Sequence, residues 1–131
     1  MNTKRIDNRD LLSTLWIVVM LSVIKTDVLS LFIPGIAEEL AQTSVITGAS
    51  IPQLMLFGAV MGTVGFAMIF LSRVLEHGAN RRVNLIVSPL YILYIVGGGT
   101  LYPHYIFLAT VEVICLLFIF WNALKWSNSE N

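Results

Sequence analysis

Charge is what this sequence has least of: Asp, Glu, Lys and Arg make up 12% of its 131 residues, against roughly 25% in a soluble domain. With 56% of positions hydrophobic, a solvated shell cannot cover the apolar surface. The eight acidic and eight basic side chains cancel, which removes the positive field that nucleic-acid binding requires. A single cysteine, Cys115, excludes an internal disulfide, a CxxC redox pair and a thiolate metal cage. The two histidines, His77 and His104, fall in separate connections and cannot clamp one haem. There is no HExxH, glycine-rich phosphate loop or GxSxG, so no catalytic residue, cofactor or metal is assigned.

Long hydrophobic runs are abundant instead. Residues 11–33, 52–72, 83–101 and 106–124 form four apolar stretches of about 19 to 23 residues, the length a helix needs to cross ~30 Å of hydrocarbon. The expected fold is all-α: one integral membrane domain over 1–131, built as a four-helix transmembrane bundle, up-down-up-down. Lys4, Arg5 and Arg9 precede the first stretch, Arg73, Arg81 and Arg82 separate the second from the third, and Lys125 follows the fourth. The connections at 34–51 and 102–105 carry no Lys or Arg. By the positive-inside rule both termini and the 73–82 loop are cytoplasmic, in an inner (plasma) membrane crossed several times. Trp16, Trp121 and Trp126 then belong to a cytoplasmic aromatic belt, and Phe32, Tyr102 and Tyr105 to an outer one. A signal peptide cut after Ala37 is the competing reading of the amino terminus. Its apolar run is long for that role and is interrupted by Lys25 and Asp27.

Between the first two stretches, Ile36, Ala37, Leu40 and Ala41 oppose Glu38, Glu39, Gln42 and Thr43, the pattern of a short outer interfacial helix beginning at Pro34. Thr47-Gly48 breaks it. Ser50-Ile51-Pro52-Gln53 has capping-box spacing at the start of the next helix. The end of the chain, Ser127 to Asn131, reads as a frayed tail.

Lys25, Asp27 and Glu112 are the ionisable side chains inside the apolar stretches. Each costs at least about 2.5 kcal/mol if it faces lipid at mid-depth. Counting at 1.5 Å per residue from the outer ends, all three fall about 9 to 12 Å deep. Tyr94 reaches nearly the same depth and can hydrogen-bond a carboxylate there. Ser22, Thr26 and Ser30 form one stripe on the first helix, flanked by Lys25 on one side and Asp27 on the other. Glu112 is the expected partner for Lys25 if the residues serve packing. A protonatable or ion-binding site is the functional reading, and snorkelling of Lys25 to the headgroups is the third.

In the second stretch Gly58, Gly62 and Gly65 repeat as small-xxx-small, which marks either an internal packing seam or a homo-oligomer contact. Met55, Met61 and Met68 read as packing. In the third, Pro89 predicts a kink, and Gly97-Gly98-Gly99 a weakened outer end.

The segment LLSTLWIVVMLSVIKTDVLSLFIPGIAEEL, with Asp27 followed by LSLFIPG, together with four apolar stretches in this length, resembles a family of small bacterial integral membrane proteins of unknown function. The resemblance implies location and topology and carries no activity. Small multidrug-resistance exporters are similar in size, but their membrane Glu lies in the middle of the first helix, where this chain has none. The leading functional expectation is a non-enzymatic integral membrane protein, an accessory or interaction subunit. Its partners would be the lipid bilayer and a homo-oligomer or membrane-protein partner, with no nucleic acid. The alternative is a small proton- or ion-coupled transporter using Asp27 and Glu112. A lipid- or quinone-modifying enzyme is the distant third.

Overall fold

Five helices run in the order α1 (Asn8–Ser30), α2 (Ile36–Thr47), α3 (Ile51–Val74), α4 (His77–Gly97) and α5 (Pro103–Lys125) in a computed structural model that describes residues 7–98 and 102–126. Lys4, Arg5, Gly99, the 127–131 tail and the end of the third apolar stretch lie outside the described residues.

Local chemistry sets most boundaries. Asp7 caps α1 by accepting from the Arg9 amide at 3.2 Å. Glycines with left-handed backbone bracket α2, Gly35 at φ 86° and Gly48 at φ 76°, a conformation that disfavours any residue with a Cβ. The capping box at the head of α3 is complete: the Ser50 amide donates to Gln53 Oε1 (2.8 Å) and the Gln53 amide to Ser50 Oγ (3.3 Å). Pro52 occupies the first turn, where its missing N–H leaves no hydrogen bond unmade.

α1 is the hub. Its start meets the end of α3, where Ser13 Oγ donates to the Ile69 carbonyl (2.9 Å) and Arg73 pairs with Asp10 (2.9 Å). Its end meets the start of α5 through Ser30 and His104. α3 and α5 therefore run antiparallel to α1. The end of α5 returns to the start of α4, with His77 Nε2 donating to the Trp126 carbonyl and Arg81 to the Leu124 carbonyl, so α4 runs parallel to α1. The four long helices alternate up, down, up, down around a core of Leu12, Trp16, Val19, Met20, Met61, Met68, Tyr91, Ile95, Leu116 and Ile119.

The count of spans is a correction. Among the described residues three helices, α1, α3 and α5, are long and apolar enough to cross a membrane, not four. The third apolar stretch was placed at 83–101, with 73–82 as a loop. Instead α4 begins at His77, with only Leu75 and Glu76 between it and the end of α3, so its first two turns carry Asn80, Arg81, Arg82 and Asn84, and its helix stops at Gly97. Pro89 leaves α4 a continuous helix.

Arg82 is exposed, but the uncharged polar residues of α4 turn inward. Asn80, Asn84, Ser88, Tyr91 and Ile95 are buried, one stripe at i, i+4 and i+3 spacing. Trp16 Nε1 donates to Asn84 Oδ1 (2.8 Å), and Asn84 Nδ2 to Asn80 Oδ1 (2.7 Å) and Ser72 Oγ (3.3 Å). Asn80 Nδ2 donates to the Ser72 carbonyl (2.7 Å) and Ser88 Oγ to the Asn84 carbonyl (2.7 Å). Ile86, Leu90, Leu93 and Val96 form the exposed side of the same helix. Trp16 and Trp126, expected in an interfacial belt, are core residues at 0% and 2% exposure, whereas Trp121 and Phe32 are exposed.

The glycine stripe on α3 divides. A Cβ on Gly65 would collide with Met20 Sδ and lie 2.6 Å from the Tyr91 hydroxyl, which itself donates to the Met61 carbonyl. A Cβ on Gly58 would make ordinary contact with the Tyr94 hydroxyl, and one on Gly62 would meet nothing within 4 Å. Gly65→Ala should therefore destabilise the detergent-solubilised protein by about 1–3 kcal/mol through overpacking. Gly62→Ala should raise stability by about 0.5–1 kcal/mol through helix propensity. Thermal unfolding of both variants checks the pair, and equal effects would contradict the seam at Gly65.

A carboxylate-lined cavity between α1, α4 and α5

At the end of the bundle that carries α2, a cavity of about 140 Å³ opens between three helices. α1 contributes Val23, Thr26 and Asp27, α4 contributes Tyr94, Ile95 and Gly98, and α5 contributes Tyr105 and Glu112. Three of the four predicted polar-site residues, Asp27, Tyr94 and Glu112, thus share one space. Asp27 is exposed, at the mouth, and Glu112 is 3% exposed, in the wall. Lys25 does not line the cavity and is exposed on another side of α1. The salt bridge found among the described residues is Arg73–Asp10, so Glu112 is not tied to Lys25.

The partner of Glu112 is Thr26, whose Oγ1 lies 3.2 Å from Glu112 Oε2. That hydroxyl is also 2.8 Å from the Ser22 carbonyl. A threonine hydroxyl has one hydrogen, and a carbonyl can only accept. If the hydrogen goes to Ser22, the Glu112 contact is a hydrogen bond only when Glu112 carries a proton and donates it to Thr26. If Glu112 is ionised, Thr26 must turn its hydrogen to the carboxylate and release Ser22. One turn further, the same arrangement recurs with a different donor: Ser30 Oγ donates to the Thr26 carbonyl (2.8 Å) and stands 3.0 Å from His104 Nε2, which supplies an N–H. α5 thus sets a side chain against each of two hydroxyls of a ladder on α1. At Glu112 the direction of the bond depends on a proton.

The tyrosines are held rather than free. Tyr105 donates to the Ile95 carbonyl (2.7 Å). Tyr94 packs edge-on against Phe57 and Tyr91, each with ring centroids 5.7 Å apart. Beyond the cavity, Tyr102 joins the head of α5 to α2 by donating to Glu39 Oε1 at 2.5 Å. The hydrogen bond to Glu39 holds the Tyr102 phenol above its ordinary pKa, because the carboxylate accepts only from the neutral phenol.

Thr26, Tyr105 and His104 were not anticipated as site members. The i, i+4, i+8 stripe Ser22, Thr26, Ser30 was the available signal for the ladder. Nothing in the periodicity of one helix says which face meets a neighbour, so Lys25 and Thr26, about 100° apart on α1, could not be ranked as partners of Glu112.

A family model described as a family of unknown function, DUF6326, matches residues 3–131, and the chain belongs to that family. No curated protein and no solved structure matches the chain.

A pair of double-mutant cycles tests the partnership. Thr26→Val and Glu112→Gln should couple by at least about 0.5 kcal/mol in thermal unfolding, because they share a hydrogen bond. Lys25→Met and Glu112→Gln should add within about 0.5 kcal/mol. Coupling confined to the Lys25 cycle would restore the ion pair.

Proposed function

We propose that this member of the family is a multi-pass inner-membrane protein that takes up and releases a proton or small cation at the Glu112 cavity, a cation-coupled carrier and not an enzyme. One observation carries the reading: Glu112, almost fully buried, shares a cavity with Asp27, and among the described residues no Lys or Arg lines it. A buried carboxylate without a cationic partner is expensive when ionised. Its economical states are a protonated one and one with a cation beside it, and passage between them is ion exchange.

In this reading α4 is the fourth span. Its 21 residues cover about 31 Å at 1.5 Å per residue. Its polar stripe faces inward while Ile86, Leu90, Leu93 and Val96 face out, the inverse of a soluble amphipathic helix. The end holding Arg9, Arg73, Arg81, Arg82 and Lys125 is then cytoplasmic and α2 lies outside. A reporter active only in the cytoplasm should work when fused after Asn131 and stay silent when inserted beside Thr43. The reverse pattern would overturn the orientation.

Proton exchange is read directly by infrared difference spectroscopy between acidic and alkaline buffers. The wild type should show the carbonyl stretch of a protonated carboxyl that is lost in Glu112→Gln. In proteoliposomes a pH gradient should drive a cation flux that Asp27→Asn and Glu112→Gln abolish while both variants still insert. A Glu112 band that does not respond to pH, with no flux, would reject the function.

A further inference from the structure

The cavity has features that select among cations. Its side-chain oxygens are few: two carboxylates and the Thr26 hydroxyl, since the Tyr105 hydroxyl is committed to the Ile95 carbonyl and the Tyr94 hydroxyl lies near Gly58 of α3. Calcium takes six to eight oxygens and magnesium a near-octahedral shell. No group of three or more His, Cys, Asp or Glu able to hold a metal occurs among the described residues. Val23, Ile95 and two phenol rings occupy the wall where further oxygens would have to stand. Aromatic faces attract weakly hydrated cations, and apolar walls suit carbon substituents. Glu112, nine-tenths and more buried, has Oε2 against Thr26 and no donor on Oε1 among the described residues. An N–H or a cationic methyl group placed in the cavity would answer it. The volume of about 140 Å³ is close to that of an engineered cavity that admits benzene, which limits the guest to about six non-hydrogen atoms.

We propose that the site binds a compact organic ammonium ion, and that this ion and the Glu112 proton exclude each other. The inference rests on the cation-exchange reading above and names its ligand class. No covalent step is involved: the proton leaves Glu112 for solvent, Thr26 turns its hydrogen to Glu112, and the ammonium enters between the two carboxylates. The titratable groups that share the cavity with Glu112 are Asp27 from α1, Tyr94 from α4 and Tyr105 from α5 itself, with Tyr91 and Cys115 near it on α4 and α5. Each of these is neutral or negative at neutral pH, so none supplies the missing positive charge.

The test is equilibrium binding of radiolabelled tetramethylammonium to the full-length protein in detergent, with methylammonium, sodium, calcium and tert-butanol as competitors. Binding should saturate at one ion per chain and be displaced by methylammonium but not by the inorganic ions or the neutral alcohol. Affinity should rise with pH, by up to about tenfold per pH unit while one proton is displaced. Proton release, followed with an indicator in weak buffer, should approach one per bound ion. Asp27→Asn, at the exposed mouth where folding is least at risk, and Glu112→Gln should each weaken binding at least about tenfold, the loss of one charge contact in a buried site. Displacement by sodium or calcium would overturn the ligand class and leave cation exchange standing. Absence of binding with a Glu112 infrared band that still titrates would do the same, leaving the proton as the ion. Absence of both would remove this inference together with the reading it rests on.

Discussion

A polar atom facing hydrocarbon finds no partner outside the protein, and this constraint organises both ends of the bundle. α4 is where it acts most strongly. Asn80, Asn84 and Ser88 would forbid the helix from an apolar environment if they faced outward. Turned inward, they are answered by Ser72, Trp16 and the α4 backbone. The apolar side chains are left on the outer surface. The helix with the most polar sequence is thereby held in place, although α3 packs against it more sparsely than α1 packs against α5. Individual hydrogen bonds of this kind are worth only about 0.6 kcal/mol on average in a membrane protein. Their effect is collective and directional: rotate α4 by one residue and the bonds that Asn80 and Asn84 make to Ser72 and Trp16 are lost together.

The opposite end obeys the same constraint with an unfinished network. The hydroxyls of Thr26 and Ser30 each satisfy a carbonyl of α1 and each meet a side chain of α5. His104 meets Ser30 through Nε2. Glu112 meets Thr26 as the donor when it is protonated and as the acceptor when it is ionised, and beside it lies the cavity. At one end the Asn80, Asn84 and Ser88 side chains all find partners, and at the other the direction of one hydrogen bond depends on a proton.

How much of this was legible in the sequence divides along the same line. Signals local to one segment were readable: the Gly48 end of α2, though its start was read at Pro34 and falls at Ile36, the Ser50–Gln53 capping box, and the common level of Asp27, Tyr94 and Glu112, which follows from counting residues. Signals that depend on which face meets which neighbour were not. Arg81 and Arg82 made the start of α4 read as a loop, because charge raises the polarity of any window that contains it. The Asn80, Asn84, Ser88 repeat held the contrary information at i+4 spacing. Trp16 and Trp126 sat at the right distance for an interfacial belt, but Trp16 had a buried acceptor in Asn84, and a partner for an indole N–H is visible only once helices are packed.

The position of Lys25 ties these threads together. Lys25 and Thr26 are neighbours about 100° apart on one helix, so α1 can present only one of them squarely to Glu112. Presenting Lys25 would create an internal ion pair, fill the cavity with its stem and fix the carboxylate in its ionised form. Breaking such a buried pair is strongly destabilising, so a site built that way resists exchange. Presenting Thr26 offers a single movable hydrogen instead, which adapts to either state of Glu112 by turning about one bond. Lys25 remains exposed on another side of α1. The rotation of α1 that buries a threonine in place of a lysine is what leaves Glu112 with a hydroxyl for its partner and, among the described residues, no salt bridge.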